Sequence, residues 1–317
     1  MKILITDKAH PVLEQRLAEA GHQVVVDTSL DYPALLACAP GYDALVVRSK
    51  VSIDRPFLRQ AGGGRLRCIG RLGAGMETID VDFARECGIC CLNSPEGNMD
   101  AVGEHTLALL LSLFDRVARA DAEVRQGLWQ REANRGLEVM GKTVGIIGMG
   151  HMGGAFAQRL QGFGCRVVAH DLLGGRASGF AGRPWVEAVS LSRLQAEADV
   201  VSLHVPLTNQ TFHLADEAFF SAFAKAVFLL NTSRGAVVDT LSLANALDDG
   251  RLRGAALDVM EFEDMASDGL SESLPEPWQR LLRSPRTVLT PHVAGWTVES
   301  NYKLAAVLAD KMIEALR

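Results

Sequence analysis

The sequence predicts an α/β protein with two doubly wound parallel sheets, a dinucleotide-binding domain inserted in a smaller domain. Three observations predict it. Apolar runs of strand length alternate with helical segments along the whole chain, the pattern of a parallel sheet. At 141–171 one such run leads into Gly148-Met149-Gly150-His151-Met152-Gly153, then a helix, then a second strand ending at Asp171. A chain of 317 residues has room for two domains.

Composition narrows the class. Hydrophobic content of 48% and charged content of 22% describe an ordinary globular protein. A net charge of −6 argues against non-specific nucleic-acid binding. No apolar run reaches membrane-spanning length. MKILITDKAH enters a strand directly, with no signal-peptide pattern, so a cytoplasmic protein is expected. The six cysteines fit a reducing compartment: Cys87-x-x-Cys90 has no second pair, so buried or incidental thiols are the reading. The eight histidines show no ligand spacing, and no metal site is expected.

Residues 1–94 alternate strand and helix. Strands are expected at 2–6, 23–26, 44–47, 67–70 and 90–92, with helices at 11–20 and 32–39. Ligands of such sheets sit at the carboxyl ends of strands. That places Arg48, Ser49 and the turn Gly73-Ala74-Gly75 at a candidate substrate site, the turn offering backbone amides to an anion. Arg48 as a solvated surface side chain is the alternative. One long amphipathic helix is expected over 99–126, with Val102, Thr106, Leu109, Leu110 and Leu113 on one stripe. The stripe suits either a partner or intrachain core.

At 141–171 each part has a job. Gly148 permits the strand-to-helix turn, Gly150 leaves room for a pyrophosphate, and Gly153 lets helix and strand pack closely. The helix, read from Ala155 to Leu160, turns its N-terminal amides to the phosphates. Asp171 suits an adenosine ribose diol. Arg176 and Arg183, in the loop 172–184, could meet an NADP 2′-phosphate, but Asp171 would repel it; NAD is the expected cofactor. Strands at 200–204, 227–231, 254–259 and 287–289 alternate with helices at 191–197, 216–222 and 240–250. The NAD-binding domain thus spans 95–290. The helix 301–317 returns to the first domain, which comprises 1–94 and 291–317.

Arg234, Glu263 and His292 follow the carboxyl ends of strands of the second domain. A bound nicotinamide suggests hydride transfer. An arginine fork would clamp a substrate carboxylate, a histidine would carry the hydroxyl proton, and a carboxylate would orient the imidazole and favour its charged form. Surface ion-pair partners and a core or capping histidine are the plainer alternative.

The chain resembles the D-isomer-specific 2-hydroxyacid dehydrogenase family over nearly its full length. The matching pieces are RLGAGMETIDV at 71–81, NSPEGN at 93–98, GEHTLALLL at 103–111, GKTVGIIGMGHMG, HVPLT at 204–208, NTSRGAVVD at 231–239, ALDV at 256–259 and TPHVAGWT at 290–297. The resemblance implies a Rossmann domain inserted in a flavodoxin-like substrate domain. It implies Arg234 as carboxylate clamp, His292 as acid–base group and Glu263 as its partner. It also implies cofactor contacts at Val205, Thr232 and Asp258, with Pro206, Ser233 and Gly295 beside them, and a homodimer built on the 99–126 helix. Asp264 stands where the family usually has proline, and Glu261 lies close by as an alternative partner. The segment 265–286 is longer than usual. VVRSK at 46–50 and NSPEGN look most like phosphoglycerate dehydrogenases, with Arg48 meeting a phosphate or carboxylate and Arg131 or Arg135 assisting. The sequence stops after the terminal helix, so no regulatory domain is expected. Reduction of glyoxylate, hydroxypyruvate or D-lactate-type ketoacids is the rival. An NAD(H)-sensing binding protein of the co-repressor type is a remote third.

Overall fold

The computed structural model describes residues 1–263 and 274–317. It divides into two compact units, one of Met1–Asn98 with Trp296–Arg317 and one of Met99–Gly295. The expected divisions at 94/95 and 290/291 lie four or five residues earlier than these.

In the first unit, β1 (Lys2–Ile5), β2 (Gln23–Val26), β3 (Ala44–Val47), β4 (Cys68–Arg71) and β5 (Cys90–Asn93) form a parallel sheet in the order β2-β1-β3-β4-β5. These strands are short, and β3 is buried at every position, as a sheet covered on both faces requires. One face carries Leu4, Leu45, Val47 and Ile69 with the helix Arg55–Ala61. The other carries Ile3, Ile5, Val46 and Cys68 with the helices Val12–Glu19 and Val298–Ala315. Asp54, Asp80 and Thr297 each cap a helix by accepting a backbone amide. Strand order reverses between β1 and β3, so the carboxyl ends of those two strands flank the crevice where such sheets bind ligands.

In the second unit, β6 (Thr143–Ile147), β7 (Arg166–His170), β8 (Val186–Ala188), β9 (Val200–Leu203), β10 (Val227–Asn231), β11 (Leu252–Leu257) and β12 (Thr287–Leu289) run parallel in the order β12-β11-β10-β9-β6-β7-β8. This is the doubly wound dinucleotide-binding order with its switch point between β6 and β9.

Several expectations need correction. The helix expected over 99–126 is two, Met99–Asp115 and Val117–Arg125. Arg116 breaks it at φ 55°, in the left-handed region. The Phe114 carbonyl, due to accept from the next turn, accepts the Leu137 amide at 3.1 Å. The Arg116 guanidinium reaches across to the Ala133 carbonyl. Of the two uses expected for the stripe, partner or intrachain core, burial supports core: Val102, Thr106, Leu109, Leu110 and Leu113 are all buried within the chain. The helix after the glycine turn starts at His151, four residues before the expected Ala155. The loop 172–184 contains two short 3₁₀ turns, Gly174–Arg176 and Ser178–Phe180, and the edge strand β8 follows it unforeseen. The helices Arg55–Ala61 and Glu276–Arg283 were also unforeseen; the latter falls within 265–286, whose residues 265–273 lie outside the described residues.

Candidate active site

The cofactor turn is built by its three glycines. Gly148 sits at φ +89°, and a side chain there would meet the His204 carbonyl at 2.5 Å and Val205 Cγ1 at 2.9 Å. A Cβ on Gly153 would lie 2.1 Å from the Gly148 carbonyl oxygen. A Cβ on Gly150 would meet nothing within 4 Å. The first and third glycines are therefore required by packing, and the second faces open space where backbone can approach a ligand closely. His151 is exposed and Met152 half-buried in the first turn of the ten-residue helix. Asp171 accepts the Met149 amide at 2.7 Å on one oxygen and the Leu173 amide at 2.8 Å on the other. It ties the glycine turn to the end of β7, and each oxygen keeps a lone pair for a diol. Arg183 donates to the Gly179 and Ala181 carbonyls, which fixes its own loop.

His204 follows β9 at the switch point. Its Nε2 lies 2.8 Å from Ser202 Oγ, while Nδ1 is shut off from solvent without a protein partner. Burial pushes the imidazole down to about 3, so it is neutral at ordinary pH. Pro206 is exposed, and its carbonyl accepts the Thr211 hydroxyl. At the end of β10, Thr106 donates to the Val102 carbonyl, so the Thr232 hydroxyl, 3.0 Å away, donates to Thr106. Ser233 donates both amide and hydroxyl to Asn231 Oδ1. Thr232 and Ser233 thus keep only their remaining backbone atoms and lone pairs for a ligand.

The corner around His292 hangs on Asp258. This residue is 1% exposed, and its carboxylate accepts Thr290 Oγ1 at 2.6 Å, the Val293 amide at 2.9 Å and the Ala294 amide at 2.8 Å. His105, missed in the sequence reading, places Nε2 3.1 Å from Thr290 Oγ1 and 3.4 Å from Asp258 Oδ1. Burial alone would raise the Asp258 carboxyl; bonds from His105, Thr290 and the Ala294 and Val293 amides outweigh it and hold the group below its ordinary range. Asp258 therefore shapes the 290–294 turn, and Gly295 ends that stretch, half-buried. His292 is driven to φ 53°, with its amide on the Asp258 carbonyl at 2.7 Å. A non-glycine residue in that region marks stored strain.

Glu263 Oε1 lies 2.8 Å from His292 Nδ1. Glu261, the alternative partner, instead meets His213 Nε2 at 2.5 Å. The geometry thus gives the two glutamates different histidine partners. Arg234 is half-buried at the end of β10 and donates to the Ser233 carbonyl at 2.6 Å. Its neighbour Gly235 lies so close to Met260 that a Cβ would fall 2.0 Å from the Met260 carbonyl carbon. Close backbone contact thus joins the Arg234 loop to the segment that carries Glu263.

In the first unit, the Arg48 guanidinium lies 4.3 Å from the Trp296 ring centroid and its amide donates to Asp7. Burial lowers the guanidinium's affinity for its proton and the Asp7 charge opposes this; the group stays cationic. Ser49 is half-buried beside it. The Gly73 and Ala74 carbonyls accept from the Ser94 amide and Asn93 Nδ2, and a Cβ on Gly73 would fall 1.6 Å from Arg71 Nη1. This turn is filled by the chain's own arginine. Gly75 follows it, half-buried. Arg131 is exposed, and Arg135 is exposed and paired with Glu132. All six cysteines are free, and burial lifts Cys68 to about 12 and Cys91 to about 11. Among the described residues no group of His, Cys, Asp or Glu is arranged to hold a metal ion, and no helix is long and apolar enough to cross a membrane.

Residues 107–294 match the model of the D-isomer specific 2-hydroxyacid dehydrogenase NAD binding domain. The chain belongs to that family of oxidoreductases, and the cofactor is NAD. It is 33% identical to a D-3-phosphoglycerate dehydrogenase of Archaeoglobus fulgidus over 99% of its own length and 57% of that protein's. It is 31% identical to a hydroxypyruvate reductase of Thermotoga maritima over 99% of its own length and 98% of that protein's. A glyoxylate reductase of Paecilomyes thermophila superposes with a TM-score of 0.87 at 25% identity, over 100% of this chain and 95% of the other. The chain spans a little over half the length of the curated phosphoglycerate dehydrogenase it matches.

Proposed function

We propose that this protein interconverts a D-2-hydroxy acid and its 2-keto acid with NAD, and that the substrate is 3-phospho-D-glycerate. The observation that carries the reaction is the Glu263–His292 pair at 2.8 Å in the same unit as a glycine turn open to a dinucleotide. Bound NAD supplies the hydride acceptor. Glu263 holds Nδ1, which leaves His292 Nε2 for the substrate hydroxyl proton. Arg234 clamps the carboxylate through its planar fork. Asp258 fixes the turn on which His292 stands.

The phosphate rests on Arg48. Desolvated and stacked on Trp296, it is a preformed site for a second anion at the ligand crevice of its sheet. Assembly as a homodimer belongs to the same reading. Its surface is now Val117–Arg125 and the residues after it, where Val117, Val124, Leu128 and Trp129 are exposed.

Hydroxypyruvate reduction is the second reading, favoured by the relative covered over 98% of its length. NADH consumption with 3-phosphohydroxypyruvate, hydroxypyruvate, glyoxylate and pyruvate decides between them. A preference for the phosphorylated acid of about 100-fold in kcat/KM is expected, worth ~2.7 kcal/mol. A tie, or a win for hydroxypyruvate, would remove the phosphate and leave the wider reaction.

A further inference from the structure

Glu261 is an odd choice for its position. Its side chain is only 12% exposed, yet it is a carboxylate, and both oxygens are engaged. Oε1 meets His213 Nε2 at 2.5 Å. Oε2 accepts the Thr240 amide at 3.2 Å and also the Thr240 hydroxyl. An apolar side chain would serve stability as well as such an arrangement does.

Three described non-glycine residues have positive φ: Arg116, His213 and His292. The two histidines bond to two glutamates of one short segment, His213 to Glu261 and His292 to Glu263. That segment leaves the core at Val259, which is 2% exposed, and by Phe262 the chain is 42% exposed. Apolar packing therefore does not fix Glu263. What fixes it is polar: the Met260 amide donates to Glu263 Oε2, and the Glu263 amide to the Met260 carbonyl, both at 3.3 Å. Glu261 lies inside this tight turn and binds it to two other segments. One is the start of the helix Thr240–Asp248, in the stretch that follows Arg234. The other is His213, whose amide is held by the Ala236 carbonyl at 2.9 Å. Asp239 Oδ2 stands 3.6 Å from His213 Nδ1, and Phe212 stacks on the ring.

We infer that Glu261, held by His213 and Thr240, is a positioning residue that sets Glu263 against His292. The inference rests on the acid–base reading above. It requires that loss of Glu261 act on the rate through Glu263 and leave cofactor binding alone.

The test is a double-mutant cycle on Glu261→Ala and Glu263→Gln, reading kcat and KM for hydroxypyruvate and 3-phosphohydroxypyruvate, with NADH affinity by fluorescence. Glu261→Ala should lower kcat by about 10- to 100-fold, the cost of a misplaced catalytic group, with NADH affinity kept within about twofold. In the double variant kcat should match that of Glu263→Gln alone within about threefold, because residues acting as a unit are not additive. Glu261→Gln keeps an oxygen for Thr240 and should recover most of the loss. Should Glu261→Ala fail to fold, His213→Gln carries the test, with a kcat loss of about tenfold that is likewise absorbed by Glu263→Gln. Multiplying effects, or a lower melting temperature with unchanged kcat, would overturn the inference and leave Glu261 a stabilising contact. Wild-type kcat in Glu263→Gln would instead overturn the acid–base reading beneath it.

Discussion

The two sheets end differently. Both are parallel, and both present an arginine and a glycine turn at their carboxyl ends. In the Met99–Gly295 unit those ends are knotted together: Asp258 gathers the 290–294 turn, Glu263 meets His292, and Glu261 joins three segments. In the other unit Arg48 stacks on Trp296, and the glycine turn is filled by Arg71. The contrast teaches that glycine alone does not announce a ligand. Gly150 faces open space, whereas Gly73 faces a side chain of its own sheet. The proposed function implies a division of labour across this contrast, with proton chemistry in the bonded unit and anion recognition at Arg48 in the other.

The largest expected effect tests the first half of that division. His292→Gln should cost on the order of 10³ in kcat, about 4 kcal/mol, with NADH affinity retained. A loss confined to KM would place the proton elsewhere. The glycine turn comes next. Gly153→Ala puts a methyl 2.1 Å from a carbonyl oxygen, and should destabilise the unit by about 3 kcal/mol in urea unfolding. Gly150→Ala should leave unfolding unchanged and weaken NADH about tenfold; equal effects of the two substitutions on stability would show that Gly150 is not open.

His204 gives a pH test. Its folded value of about 3 lies below the ordinary 6.5. The unfolded chain therefore binds a proton that the folded one refuses. The stabilising contribution is complete above pH 6.5 and is lost as pH falls toward 3. Between pH 6.5 and pH 5 it should cost the bonded unit about 2 kcal/mol. His204→Asn should flatten that limb of the urea-midpoint profile; an identical profile in the variant would assign acid loss to other groups. The smallest effect belongs to the unit of Arg48. Trp296→Ala should raise KM for an anionic substrate by about fivefold, near 1 kcal/mol, with kcat kept. A fall in kcat as large as that of His292→Gln would erase the distinction between the units.

Much of this was legible in the sequence because local chemistry dictated it. The spacing of Gly148, Gly150, Gly153 and Asp171 follows from strand, turn and helix geometry that neighbouring residues alone determine. Strands such as Ala44–Val47 declare themselves by unbroken apolar runs. The break at Arg116 was hidden because its cause is distant: the Phe114 carbonyl is taken by Leu137, and no residue near Arg116 signals it. The helix Arg55–Ala61 was readable from its Asp54 cap and Pro56. The choice of Glu263 over Glu261 came only with the family resemblance, since it depends on where His213 and His292 lie, 48 and 29 residues away in the chain. Trp296 gave no signal as a companion of Arg48 for the same reason.

The measurement that bears most directly on the division of labour is kcat/KM for 3-phosphohydroxypyruvate and hydroxypyruvate in the wild type and in Arg48→Ala. The account predicts a preference for the phosphorylated acid of about 100-fold, ~2.7 kcal/mol, that collapses to within about threefold in the variant while kcat for hydroxypyruvate holds. A preference that survives the loss of Arg48, or a kcat that falls equally for both acids, would contradict it.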